Sequence, residues 1–163
     1  LSGKGDKPYE KTNVIRLLES EGVEFDVLEY ETSEDHSALH AATSLGLEVD
    51  RVFKTIVLIG ERLGYFVCVI PGSCEIDLKK AALAAGDKAS ALLPLKDLES
   101  CTGYVRGGCS PIGMKKKFPT LLDETAYLFD RISLSAGKRG LQIFLRPADL
   151  KDLCQARVAD LIK

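Results

Sequence analysis

The chain has 163 residues, of which 45% are hydrophobic, 28% charged and 7% aromatic, a composition that excludes a fibre, a disordered tail or a string of domains. At this length roughly 70% of the unfolded surface is buried on folding, so the core needs no disulfide staples. A formal charge of -2, from 22 Lys plus Arg against 24 Asp plus Glu, excludes a polycation that coats nucleic acid indiscriminately, and any nucleic-acid contact has to be local.

Residues 1–11 carry no hydrophobic period and read as a flexible leader to a domain spanning 12–163. From Thr12, the spacing of Val14, Leu17 and Leu18, closed by Gly22, predicts a short amphipathic helix. A strand follows over Phe25–Glu31, then an alanine-rich helix from Ser37 to Leu45 that stops at Gly46. Val52–Ile59 and Tyr65–Ile70 are β-branched runs parted by Gly60 and Gly64, and predict a hairpin apolar on both faces. Asp77 caps a helix running to Ala85 with Gly86 as its stop, and Pro94 opens another through Ser100. Gly103–Gly113 is a long loop. Beyond it come an apolar piece at Leu121-Leu122, strands at Arg131–Ser135 and Leu141–Arg146 joined by a glycine-rich turn, and a helix opened by Pro147. Helices interleaved with hairpin strands predict an α/β fold, a single domain with a mixed, mostly antiparallel β-sheet surrounded by helices, and not a doubly wound nucleotide fold.

The cysteines at 68, 74, 101, 109 and 154 are odd in number and form no CxxC pair or zinc spacing. They point to reduced thiols in a cytoplasmic protein. His36 and His40, four apart, lack a third ligand nearby, so no metal and no cofactor is expected. No apolar run approaches the roughly 20 residues of a membrane span.

Lys54 is the most informative residue, because alternation sets it among Val52, Ile56 and Leu58 in an apolar strand. Desolvation disfavours a buried ammonium unless an anion or acceptors hold it. Two readings fit: a lysine that binds or polarises a substrate, and one near a strand end that snorkels to water. The loop Gly103-Tyr-Val-Arg-Gly-Gly-Cys-Ser-Pro-Ile-Gly113 holds four glycines and a proline in eleven residues. Its backbone can approach a ligand closely and aim N–H groups at an oxyanion, although an ordinary surface loop has the same composition. Neither histidine lies near Cys109 in sequence to activate it as a nucleophile. Alternation also places Ser135 and Gln142 on one side of the hairpin turn that carries Lys138-Arg139, a pair suited to phosphate oxygens or simply to solvent.

Taken together, Val52-Phe-Lys-Thr-Ile-Val57, Asp77-Leu-Lys-Lys80, Thr102-Gly-Tyr-Val-Arg-Gly-Gly-Cys-Ser-Pro-Ile-Gly-Met-Lys-Lys116 and Ser135-Ala-Gly-Lys-Arg-Gly-Leu141 resemble, in order, the motifs of the YbaK/EbsC family. These are editing deacylases of Cys-tRNA(Pro), related to the editing insertion of bacterial prolyl-tRNA synthetases. The resemblance runs from Thr12 to Lys163. It implies a pocket for the aminoacylated 3′ adenosine, with Lys54 as the family's essential lysine near the terminal nucleotide or the ester. It also implies Gly107 and Pro111 as the Gly-x-x-x-Pro loop, and Tyr30, Thr55 and Ser135 as pocket residues. Thr55 fits a cysteinyl specificity, since relatives that edit Ala-tRNA(Pro) tend to carry asparagine there. Gln142 and Ser37 depart from an aspartate and a phenylalanine found in some members, which bears on the amino-acid preference.

The family's chemistry uses the thiol of the substrate to attack its own ester, so no protein nucleophile is needed; here loop N–H groups at Gly107 and Gly108 would serve the oxyanion. Lys79, Lys80, Lys115, Lys116, Lys138 and Arg139 would guide the acceptor end of the tRNA, in transient contact with prolyl-tRNA synthetase. Two alternatives share these residues: a deacylase of another mischarged tRNA such as Ala-tRNA(Pro), and a non-catalytic module that binds an aminoacyl or nucleotide end.

Overall fold

The computed structural model describes residues 9–163. Most of the expected leader lies outside the described residues; of its remainder, Tyr9 packs against the main core and Lys11 pairs with Glu19 at 3.1 Å.

In chain order the elements are α1 (Asn13–Ser20), β1 (Phe25–Glu29), α2 (Ala38–Leu45), β2 (Phe53–Gly60), β3 (Gly64–Pro71), α3 (Leu78–Ala85), β4 (Ser90–Leu92), α4 (Leu98–Thr102), β5 (Thr120–Asp123), β6 (Ile132–Lys138), β7 (Leu141–Leu145), α5 (Pro147–Cys154) and β8 (Arg157–Ala159). Single 3-10 turns lie at Val49–Arg51, Leu95–Asp97 and Glu124–Leu128. The side chains of Thr12, Ser37 and Asp77 cap α1, α2 and α3 by accepting from the N–H of Ile15, His40 and Lys80. Each cap supplies an acceptor to a helix N–H that has no partner inside the helix.

Two sheets form, rather than the single mixed sheet that the pattern predicts. One is three-stranded and antiparallel in the order β1-β7-β6; the other is five-stranded in the order β4-β2-β3-β5-β8. Within the second, β4-β2-β3 is antiparallel whereas β5 joins β3, and β8 joins β5, in parallel. A bridge between Val52 and Ser133 ties the sheets together. The β2–β3 hairpin shows why both of its faces are apolar. Val57, Val67 and Val69 face the main core shared with α1, α5 and the small sheet, while Leu58, Phe66, Cys68 and Ile70 form a second core under α3.

Two polar devices fasten the large sheet, one at the β2–β3 turn and one at its β8 edge. The Asp87 carboxylate accepts the N–H of Arg62 at 2.9 Å and of Leu63 at 2.8 Å across the hairpin turn, and these bonds hold its pKa below the usual carboxylate range. At the β8 edge, the buried Asp123 accepts the Leu161 N–H at 2.9 Å, the Asp77 N–H donates to Leu161 O at 2.8 Å and the Lys163 N–H donates to Glu75 O at 3.1 Å. The segment after α5 is thereby fastened along β5.

Candidate functional site

Strand β4 pairs with β2 only over Leu58–Gly60, so the edge of β2 from Phe53 to Ile56 is left uncovered. A cavity of about 380 Å³ opens against that edge. Its walls come from four places: β2 (Phe53 to Val57), the start of α2 with the segment before it (Tyr30, His36, Ser37), the loop after α4 (Arg106, Gly107, Cys109), and the β6–β7 hairpin (Ser135, Gln142). A leucine wall of Leu92, Leu93, Leu95 and Leu98 closes the remaining side. Because the cavity lies at an open strand edge, side chains from both faces of β2 reach it, Lys54 and Thr55 among them.

Lys54 is half-buried, and its Nζ donates to Gly72 O at 3.2 Å. Burial pulls its pKa below the usual lysine range, opposed by the nearby Cys74 and Glu75. Gly72 is held by its own N–H, which donates to Val52 O at 2.7 Å, and a Cβ there would overlap the side chain of Ala38. The close approach of α2 to this turn therefore requires glycine.

The hydroxyl of Thr55 is buried without a hydrogen-bond partner. A lone buried hydroxyl costs free energy until something pairs with it, and this one borders the cavity. Ser135 Oγ accepts the Gly137 N–H at 3.0 Å. Gln142, which pairs with Ser135 across the hairpin, accepts from Ser133 Oγ at 2.7 Å through its Oε1, leaving its amide nitrogen as a donor for whatever fills the cavity. Tyr30 stands edge-on to His40, with ring centroids 5.7 Å apart.

In the loop, Gly107 adopts φ +85°, and a Cβ there would come within 2.8 Å of His36 Cβ. Its N–H makes no hydrogen bond among the described residues. Gly108 differs: its N–H donates to Val105 O at 2.9 Å and it packs on the backbone of Lys138 and Arg139 instead of lining the cavity. Of the two adjacent glycines, Gly107 is thus the one with an unpaired N–H at the cavity. Cys109 borders the cavity, yet burial pushes its thiol up to about 12, which keeps it protonated and unreactive near neutral pH.

The other expected residues lie elsewhere. Pro111, Lys116 and Lys117 line a separate depression of about 400 Å³ behind the loop, while Lys115 is exposed beside Gly103. Lys79 is exposed on α3, and Lys80 Nζ is already bound to Asp160 at 2.9 Å and to Ile162 O at 2.7 Å. Lys138 and Arg139 are exposed on the hairpin tip next to the loop.

The model of the aminoacyl-tRNA editing domain matches residues 32–153, which takes in most of the cavity wall. The chain belongs to this family. Among its relatives is an Enterococcus faecalis protein, EbsC, named as a candidate Cys-tRNA(Pro)/Cys-tRNA(Cys) deacylase, 51% identical over 95% of both chains. A proline–tRNA ligase of Limosilactobacillus fermentum is 28% identical over 73% of this chain, corresponding to 22% of the ligase. A solved structure described as a candidate trans-editing enzyme for prolyl-tRNA synthetase superposes with a TM-score of 0.81 at 27% identity, covering 93% of this chain and 98% of that one.

Within this editing domain, reasoning from sequence missed His36, Arg106, Gly72 and the leucine wall as cavity residues. His36 and Arg106 flank residues that were singled out, and Pro71-Gly72 ends a strand with a turn signal. The leucines give no cue in sequence, since Leu95 and Leu98 read as ordinary positions of the helix opened by Pro94 and Leu92 and Leu93 fall in no predicted element.

Proposed function

We propose that this editing domain is a deacylase acting in trans on mischarged aminoacyl-tRNA, with Cys-tRNA(Pro) as its principal substrate. The observation that carries the reading is the cavity. It offers a half-buried lysine, a free N–H at Gly107 and small polar groups, whereas its one thiol, Cys109, sits at about 12. Such a site can hold an ester and stabilise an oxyanion, while its thiol is no nucleophile near neutral pH. The name carried by the Enterococcus faecalis relative supports the same substrate.

In the proposed reaction the sulfur of the bound cysteinyl ester attacks its own carbonyl carbon. The bond from that carbon to the ribose 3′ oxygen breaks as the thiol proton passes to the departing oxygen. A thiolactone and free tRNA result, and water opens the thiolactone to cysteine. Gly107 N–H faces the developing oxyanion, and Lys54 fixes the 3′ end. Gly108, whose N–H is spent, contributes by packing the loop on the hairpin. Tyr30, Ser37, Thr55, Ser135 and Gln142 surround the amino acid, and Thr55 Oγ1 gains a partner when the site fills. Pro111 shapes the loop from its far side.

The acceptor end is guided by Lys138 and Arg139 beside the cavity and by Lys79, Lys115 and Lys116 farther out; Lys80 Nζ has first to leave Asp160. With a net charge of -2 the domain binds tRNA weakly, and transient contact with prolyl-tRNA synthetase supplies the choice of tRNA in the cytoplasm.

The test is multiple-turnover deacylation of Cys-tRNA(Pro), Ala-tRNA(Pro), Ser-tRNA and Pro-tRNA(Pro) by wild type and Lys54→Ala. Rapid loss of cysteine that vanishes in the variant is the expected outcome. Ser-tRNA cleaved as fast as the cysteinyl ester removes the substrate-thiol step. Preference for the alanyl ester moves the protein to a sister specificity, and saturable binding without turnover makes it a binding module.

A further inference from the structure

Arg106 is exposed at the mouth of the cavity, and the loop that carries it lies against the tip of the β6–β7 hairpin. The Nε of Arg139 donates to Arg106 O at 2.8 Å. A Cβ on Gly108 would stand 3.1 Å from Lys138 Cα and 3.2 Å from Arg139 N, so the two segments touch backbone to backbone and bring the two arginine positions together. Neither guanidinium has a carboxylate at ion-pair distance among the described residues, whereas Arg51, Arg131 and Arg146 each do. The neighbouring Glu10 is turned to Lys138, at 3.7 Å. Neighbouring like charges without a counter-charge repel each other, and an anion seated between them converts that repulsion into attraction.

The size of the cavity identifies the anion. About 380 Å³ lies at the low end for ligand sites, roughly 300–1,000 Å³, and suits one nucleoside with a small amino acid. The next group along a tRNA, the phosphate on the 5′ side of the terminal nucleoside, then emerges at the mouth.

We propose, on the reading that the cavity takes an aminoacylated 3′ adenosine, that Arg106 and Arg139 bind the phosphodiester preceding that adenosine, so that the enzyme recognises a nucleotide and not a nucleoside. Arg106 is a binding residue in this scheme; Arg139 also positions it through the loop carbonyl. Guanidiniums suit phosphate oxygens because their planar donors match them two at a time.

The experiment compares the cysteinyl ester of adenosine with that of the dinucleotide cytidylyl-adenosine, for wild type, Arg106→Gln and Arg106→Lys. Wild type is expected to favour the dinucleotide ester about tenfold in kcat/KM, through KM, as one charge-assisted contact provides. Arg106→Gln is expected to raise KM for the dinucleotide ester until the preference is gone, and Arg106→Lys to restore part of it. The Arg106 side chain makes no hydrogen bond or ion pair among the described residues, so its replacement leaves the fold intact. A wild type without the preference, or Arg106→Gln retaining it, overturns the phosphate site but leaves the deacylase reading standing. A wild type that cleaves neither of these esters nor full Cys-tRNA(Pro) overturns both. The remaining source of phosphate is a free mononucleotide. Inhibition by adenosine 5′-monophosphate that Arg106→Gln abolishes, with the ester preference unchanged, assigns the pair to that ligand and also overturns the proposal.

Discussion

Replacing Lys54 by methionine keeps the side-chain stem and removes the ammonium, which separates folding from binding. In the free protein the change costs one bond, from Nζ to Gly72 O at 3.2 Å, and relieves the burial that depresses the lysine pKa. A bond of that length on a half-buried group contributes about 1 kcal/mol, and the relieved desolvation offsets part of it. The melting temperature is therefore expected to fall by no more than about 2–4 °C. In the proposed complex the ammonium fixes the 3′ end, and a hydrogen bond from a charged donor contributes about 1.5–3 kcal/mol. At 1.4 kcal/mol per factor of ten, kcat/KM for Cys-tRNA(Pro) drops about 10- to 150-fold. Thermal unfolding and multiple-turnover deacylation on one preparation measure both numbers. A loss of activity below about threefold refutes the role of the charge. A melting temperature lower by 10 °C or more refutes the separation of folding from binding, because unfolded protein then explains the lost rate.

Gly46 and Gly107 both adopt left-handed backbone, but a Cβ on Gly46 meets nothing within 4 Å whereas one on Gly107 meets His36 at 2.8 Å. Gly46→Ala and Gly107→Ala are each expected to cost about 1 kcal/mol of stability from the backbone, with activity at least tenfold lower in the second alone; equal activities in a paired assay contradict the placement of the loop. Cys109→Ala is expected to keep kcat within about threefold, since a thiol at about 12 is no nucleophile at pH 7, and a collapse in single-turnover rate would reveal one. Changing Lys115, Lys116 and Lys117 to glutamate is expected to weaken tRNA binding and flatten its dependence on salt; an unchanged slope in a filter-binding titration rejects their contact with phosphates. Asp87 has its folded pKa lowered by the N–H groups it accepts. Its contribution is fully present above the unfolded value near about 4 and is lost as pH falls through the folded value. Urea midpoints of wild type and Asp87→Asn are therefore expected to differ by a constant amount above about pH 5 and to converge in acid.

Much of this fold was legible because its signals are local. Thr12, Ser37 and Asp77 announce helix starts, Gly22, Gly46 and Gly86 announce stops, and β2 and β3 show their hairpin through β-branched runs parted by two glycines. Strands β4 and β8 were not legible. Each has three residues, too few for a period of two to appear, and each forms only because a longer strand supplies a partner. The parallel addition of β5 to β3, and with it the split into two sheets, depends on long-range pairing that no local pattern encodes. Strand β6 continues to Lys138 beyond the predicted end at Ser135, because a bulge between them absorbs Gly137 at φ +99°. The site divides in the same way. Lys54, Thr55, Gly107, Ser135 and Gln142 stand out by residue type, whereas Leu92, Leu95 and Gly72 reach the cavity only through the truncated pairing of β4 and the close approach of α2. That the Gly108 N–H is spent on Val105 follows from a turn whose geometry several residues jointly set.

The fastening of residues 157–161 along β5 bears on the birth of the protein at the ribosome. A chain made from its N-terminus exposes β5 as a bare edge, with the apolar Leu121 and Leu122, until the segment that pairs with it and supplies the Leu161 N–H to Asp123 has been synthesised and has left the exit tunnel. Completion of the larger sheet therefore waits until residues 157–161 are outside the tunnel. In that interval the strand is a template for pairing with a neighbouring nascent chain. Heavily loaded polysomes should be where this protein aggregates, and slowing initiation should relieve the loss more than slowing elongation does.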